Sequence, residues 1–392
     1  MADRRAVAVV VACHFVASFA ALGLPPFFPD LLPALGDPTA RWAGVLYVVP
    51  TVCVAVSAPL WGRVADRFGR KRLLLRAQLG LALSFWLASQ ATTLEQFAAV
   101  LVLQGLLGGT FSASHAYLAS SLRGAQLAGA LTAMQLSARA ALVAAPVTVG
   151  LLSTWVGPQA LYGRLAVLPL LAALLVAGLP EPHTSGPGRQ RDRDEEGELL
   201  PAAPLYALEA ALVFATVVSF PYFLVLVREN VPDAGDAAGG LLFALPHLVY
   251  LVAAGPALAA LRRHPARAPG ALAGGFAAVA AGLAVHAVPA GLAGLVAGRL
   301  MLGAGLTAGL VALSLHTAAV AAGRRPGALF GTLELFSKGG AVLAGVAASL
   351  LAPRAGAAVP FLLGAAVALA VVLALGVRAR PLPLARSDRS AP

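Results

Sequence analysis

Twelve apolar runs, each about as long as a bilayer is thick, follow one another along this chain with short polar joints between them. A membrane-spanning helix needs about 20 predominantly apolar residues. Such runs lie at 6–33, 42–61, 73–92, 97–119, 127–152, 158–179, 205–227, 238–260, 270–289, 291–315, 328–352 and 359–377. They leave no stretch long enough for a separate catalytic domain, so an enzyme is not expected. Charge points the same way. Only 11% of the 392 residues are charged and 59% are hydrophobic, whereas a soluble chain carries roughly 25% charged residues. The expected fold class is an all-α polytopic membrane protein whose solvent is the lipid bilayer. The basic residues 1–5 before an apolar run have the look of a signal peptide. The run continues through Leu32 and makes the span count even, so it is expected to be the first span. Cys13 and Cys53 both sit in apolar runs, with neither a disulfide framework nor a zinc spacing. No metal or cofactor is expected.

Basic residues orient the spans, because loops on the cytoplasmic side carry the excess of Lys and Arg. With the N-terminus inside, 20 of the 28 Lys and Arg fall in cytoplasmic segments. Four, Arg41, Arg164, Arg228 and Arg354, lie outside or at that edge, and Arg76, Arg139, Arg299 and Lys338 lie within spans. Both termini are therefore expected in the cytoplasm. The same bias accounts for the net charge of +11 without any nucleic-acid partner.

The longest polar stretch, 181–204, includes RQRDRDEEGE and has no helical or strand period, which reads as a flexible cytoplasmic linker. It divides the chain into an N-terminal six-helix bundle, 1–180, and a C-terminal one, 205–392. The two resemble each other at a slowly drifting offset. Pro26-Phe27-Phe28 answers Pro221-Tyr222-Phe223, and Tyr47-x-x-Pro50 answers Phe243-x-x-Pro246. Gln104-Gly105 answers Leu302-Gly303, and Gln135-x-x-x-Arg139 answers Glu334-x-x-x-Lys338. Parallel repeats of six spans are one plan for a transporter, with the substrate site near mid-membrane.

The joint between the second and third spans reads GRVADRFGRKR, residues 62–72. Here the chain resembles the major facilitator superfamily, whose signature at this loop is G-x-x-x-D-[RK]-x-G-[RK]-[RK]. Gly62, Asp66, Arg67, Gly69, Arg70 and Lys71 match every fixed position. A positive-inside loop alone explains the bases but not Asp66 or the glycines. Gly62 would let the second span approach a neighbour closely, and Gly69 would permit the turn. Asp66 would face the positive N-terminal end of another helix. The resemblance implies that this helix is the eleventh span, starting near Ala328, and that the contact holds the cytoplasmic side shut. The second copy, 260–269, keeps the bases and has lost the glycines and the acid. Two other patterns of the family's exporters are altered. The Arg expected before Gln104-Gly105 is Leu101, with Arg299 in the tenth span instead, and of G-P-x-x-G-G only Pro146 and Gly150 remain.

Ionisable groups inside a membrane cost about 2.5–3.5 kcal/mol on insertion scales and are functional candidates by default. Arg139, about 12 residues into the fifth span, and Lys338, about ten into the eleventh, are too deep to snorkel easily. The resemblance implies that both spans line a central cavity, where the two bases suit an anionic substrate. Arg299 and Gln135 are further candidates for binding it. Glu334, Glu209 and His14, the last two matching at offset 195, are candidates for carrying a proton. Glu334 has a second reading, since it stands one turn before Lys338 and can simply neutralise it. Arg76, three residues into its span, is expected to snorkel, and His115 to be structural.

The expected function is secondary active transport by alternating access, carried out by a monomer. Stretches 73–85, 103–111 and 135–143 look like the bacterial exporters of carboxylate siderophores and related organic acids, which implies proton-driven efflux of an anionic small molecule. The alternative is a multidrug/proton antiporter for lipophilic compounds; an importer shares the same fold.

Overall fold

The computed structural model describes residues 2–24, 28–38, 42–153, 155–181, 200–232, 236–288, 291–322 and 324–377. The described chain is helical. In an apolar solvent a helix satisfies its backbone donors and acceptors internally, which suits runs rich in Ala and Leu. The helices are α1 (Ala2–Gly23), α2 (Phe28–Leu31), α3 (Ala43–Phe68), α4 (Arg70–Gln90), α5 (Leu94–Leu107), α6 (Thr110–Ser121), α7 (Gly124–Ser153) and α8 (Pro158–Leu165). They continue with α9 (Val167–Ala177), α10 (Ala203–Val217), α11 (Phe223–Asn230), α12 (Asp236–Arg263), α13 (Ala268–His286), α14 (Gly291–Val320), α15 (Pro326–Ala355) and α16 (Val359–Val377). Among the described residues nine helices are long and apolar enough to cross a membrane, and the chain is an integral membrane protein. Residues 182–199 of the expected linker, and Pro26 and Phe27 of the repeat, lie outside the described residues.

Several spans are not single rods. The seventh breaks after Val217, passes through a 3-10 turn at Phe220–Tyr222, and resumes as α11. Prolines remove backbone donors and interrupt helices, and Pro221 sits in that turn. The fourth span, expected at 97–119, is broken between α5 and α6 at Gly108-Gly109, with Gly109 at φ +85. Conversely, α3 continues past residue 61 to Phe68, so the first part of the loop signature is helical.

The chain forms two compact units. The first comprises Met1–Ser121, Ala133–Gly186 and Arg325–Val342, and the second Leu122–Thr132, Pro187–Arg324 and Leu343–Pro392. Both α7 and α15 therefore contribute to each. In the first unit Phe28, Phe97, Tyr162 and Phe85 meet edge to face with ring centroids 5.3–5.7 Å apart. Pairs of this kind add about 0.5–1.5 kcal/mol beyond their buried area.

The matched sequence positions pack alike, each within its own unit. A Cβ on Gly105 would strike the backbone of Pro50, and a Cβ on Gly303 the backbone of Pro246. A glycine of α5 thus lies against an internal proline of α3, as a glycine of α14 lies against one of α12. Missing side chains are what let such helices touch.

Candidate functional site

The signature loop is a joint between α3, α4 and the start of α15, all within the first unit. Asp66, near the end of α3, accepts hydrogen bonds from the backbone N–H groups of Gly327 (3.0 Å) and Ala328 (2.9 Å). These donors open α15 and have no partner within their own helix, so a carboxylate there meets both the free N–H groups and the positive end of the dipole. Arg70 closes the other side of Asp66 at 3.3 Å, with both side chains largely buried. The approach depends on missing side chains, since a Cβ on Gly62 would fall on the Gly327 carbonyl and one on Gly327 on the Gly62 carbonyl. Gly69 turns the chain between α3 and α4 at φ +105, a region that favours glycine. Arg67 lies over the Phe68 ring, and the Lys71 N–H donates to the Glu181 carboxylate at 3.2 Å.

Deeper in the same unit, a polar cluster surrounds the broken fourth span. The break exposes the last carbonyls of α5 and the first N–H groups of α6, and non-helical backbone at membrane depth must find other partners. Trp61 Nε1 donates to the Leu106 carbonyl at 2.7 Å, and Arg76 donates to the Gly108 carbonyl at 2.8 Å. The Arg76 guanidinium lies 3.6 Å from the centroid of the Trp61 ring. Arg76, expected to snorkel, is instead drawn inward to this break. On the other side, Glu334 accepts the Ser112 N–H of α6 at 3.1 Å. Glu334 is 2% exposed. It lies about 12 Å along α15 from the helix start, at 1.5 Å per residue, and interacts electrostatically with Lys338 and Arg76.

Two histidines complete the cluster. His14 of α1 and His115 of α6 are buried, with ring centroids 6.1 Å apart. His115 lies 5.3 Å from the Phe330 ring, one turn before Glu334 on α15, and its Nδ1 is 2.7 Å from the Phe111 carbonyl. His14 also interacts electrostatically with Lys338. The structure thus brings together His14, Glu334 and Lys338 of the sequence candidates, and adds Arg76, Ser112 and His115. The adjacent glycines 108 and 109 inside an apolar run are a legible break signal; the spatial neighbourhood of His115 leaves no trace in local pattern.

The remaining candidates are distributed differently. Gln135 and Arg139 stand one turn apart on α7, both half-buried; Arg139 has an interaction partner within the protein. Glu209, on α10 of the second unit, is buried and likewise partnered. Arg299, on α14 of that unit, is 1% exposed, and Nε donates to the Leu242 carbonyl at 2.9 Å. Pro246 explains that acceptor, because a proline cannot bond the carbonyl four residues earlier. The guanidinium also lies 3.4 Å from the Phe223 ring centroid and 5.5 Å from that of Phe243. Arg299 is thus held by a freed carbonyl and two aromatic faces. Among the described residues no three His, Cys, Asp or Glu side chains converge as a metal ion would require.

Known proteins resemble this chain in sequence and in fold. The family model for the Major Facilitator Superfamily matches residues 10–293. The chain is 30% identical over 168 residues to the Staphyloferrin B transporter of Staphylococcus aureus, covering 42% of this chain and 40% of that protein. It is 26% identical over 243 residues to the multidrug resistance protein MdtG of Serratia proteamaculans, covering 58% and 59%. The chain therefore spans about two-fifths to three-fifths of the length of these curated relatives. In fold it is similar to the crystal structure of the human organic anion transporter MFSD10, with a TM-score of 0.79 at 19% identity over 96% of this chain and 100% of that one. The proton:xylose symporter XylE gives a TM-score of 0.73 at 13% identity, over 96% and 95%.

Proposed function

Because the chain belongs to the Major Facilitator Superfamily, we propose that it exports an anionic small molecule, a carboxylate siderophore or related organic acid, by proton antiport. It works as a monomer in a bacterial inner membrane, with both termini cytoplasmic. Alternating access moves two six-helix halves, 1–180 and 205–392, joined by the 181–204 linker. The matching Gly105–Pro50 and Gly303–Pro246 contacts support that division.

The observation that carries this reading is the surplus of base around one buried acid. Glu334 is flanked by Lys338 and Arg76, and Arg139 lies on α7 in the same unit. A lipophilic cation would be repelled there, whereas a carboxylate gains charge-assisted hydrogen bonds. In this reading Arg139, Gln135 and Lys338 hold the cargo, and Glu334 carries the proton, with His14 and Glu209 as further titratable groups. Arg299 serves the fold of α12 and α14 rather than the cargo. The Asp66 contact with Gly327 and Ala328 is the gate on the cytoplasmic side. The name of the Staphyloferrin B transporter agrees with a siderophore cargo.

The second reading is a multidrug/proton antiporter, favoured by the longer match to MdtG. Proteoliposomes with an imposed pH gradient separate the two. Export of a carboxylate probe such as citrate, with no movement of tetraphenylphosphonium, is expected; the reverse pattern refutes the anion reading. Untargeted mass spectrometry of the medium from cells with and without the protein then identifies the native cargo.

A further inference from the structure

Glu334 does for α6 what an N-cap side chain ordinarily does. A capping residue accepts the N–H of the second or third helical residue. At the cap position of α6 stands Gly109, which has no side chain to offer. The Ser112 N–H, third in the helix, is taken by Glu334 from α15, while the Ser112 hydroxyl donates to the Gly109 carbonyl at 3.1 Å. The cap is thus supplied by a different helix, and it is an acid that can take up a proton.

The donors gathered at this point exceed what one carboxylate uses. Arg76 spends one nitrogen on the Gly108 carbonyl, and its Nε and Nη1 have no hydrogen-bond partner among the described residues. His14 is 6% exposed, its ring centroid lies 5.9 Å from that of Phe111 in the first turn of α6, and its Nδ1 likewise has no hydrogen-bond partner among the described residues. Lys338 acts on both His14 and Glu334. The facing groups are therefore His14 from α1, Arg76 from α4, the α6 N-terminus with His115, and Glu334 and Lys338 from α15.

Resting on the anion-export reading, we propose that the N-terminus of α6 is a carboxylate-binding subsite of which Glu334 is the resting occupant. When Glu334 leaves the cap, a carboxylate of the cargo takes its place, accepting from Ser112 N–H and Arg76 and facing Lys338 and His14. Glu334 and the cargo carboxylate cannot hold the subsite together, because both anions need the same donors.

Binding of acetate to the detergent-solubilised full chain at neutral pH tests the subsite, read as thermal stabilisation against chloride at equal ionic strength. Glu334→Ala empties the position, and acetate is expected to bind this variant at least ten-fold more tightly than wild type. Adding Ser112→Pro removes the N–H donor in the first turn, where proline is tolerated, and is expected to abolish the gain. Acetate no better than chloride on Glu334→Ala, or a gain that survives Ser112→Pro, overturns the proposal. If Glu334→Ala does not insert, Glu334→Gln replaces it, with the same order expected and the same results counting against. Should acetate follow the expected order while proteoliposomes move tetraphenylphosphonium and not citrate, the subsite stands and the export reading falls.

Discussion

Asp66→Asn isolates the contact between the signature loop and the start of α15. The carboxylate receives two backbone N–H groups, at 3.0 and 2.9 Å, and Arg70 at 3.3 Å. An asparagine of the same shape has one acceptor. Its oxygen can keep one of the two N–H groups, while its NH2 faces the other, donor against donor, and in one of the two orientations faces the Arg70 guanidinium as well. One hydrogen bond to a charged group is worth about 1.5–3 kcal/mol, and the surviving bond loses its charge assistance. The side chain is only 10% exposed, so solvent screens little of this. A shift of about 2–3 kcal/mol changes a two-state population about 30- to 140-fold, at 1.4 kcal/mol per decade. If the contact holds one transport state shut, the whole shift appears as altered access. Single cysteines placed at either face, on a background with Cys13 and Cys53 replaced, report it by labelling rate. A correctly inserted Asp66→Asn protein whose melting temperature falls while labelling stays unchanged would refute gating, leaving Asp66 as a static brace.

Three other substitutions probe the remaining geometry. Gly327→Ala places a methyl against the Gly62 carbonyl and the Asp66 carboxyl; it should separate α3 from α15, cost about 1–3 kcal/mol, and mimic Asp66→Asn in the labelling assay, whereas a wild-type profile contradicts the close approach. Arg299→Met leaves the Leu242 carbonyl without its donor, at about 1–3 kcal/mol; the melting temperature should drop while transport per folded molecule persists, and the opposite pattern would return Arg299 to the cargo site. Arg139→Gln and Lys338→Gln should each weaken citrate transport about ten-fold or more, with Arg139→Lys intermediate because a point charge lacks the guanidinium fork; equal transport by all three removes these bases from the cargo site. Glu334→Gln should stop gradient-driven efflux while cargo still binds; continued coupling would reduce Glu334 to a partner of Lys338.

Sequence alone determined the class of solvent, the helical class and the family resemblance, because these follow from local quantities. Run length against bilayer thickness, the scarcity of charge and the spacing of Gly62, Asp66 and Gly69 can all be read along the chain. The residues themselves offered a carboxylate able to face some helix N-terminus, and the family resemblance supplied the helix start near Ala328 that Asp66 meets. Tertiary structure decided which buried charges share a neighbourhood. Arg76 was expected to snorkel from its depth in a span, yet depth says nothing of direction. The break at Gly108-Gly109 turns carbonyls and N–H groups outward at one level, and that level recruits Trp61, Arg76 and Glu334 from three other helices. Arg299 makes the same point in the second unit. A candidate cargo ligand as a buried base, it donates to a carbonyl that Pro246 on another helix frees. Unsatisfied backbone groups in an apolar interior are expensive, and only the folded arrangement of helices shows which side chains answer them.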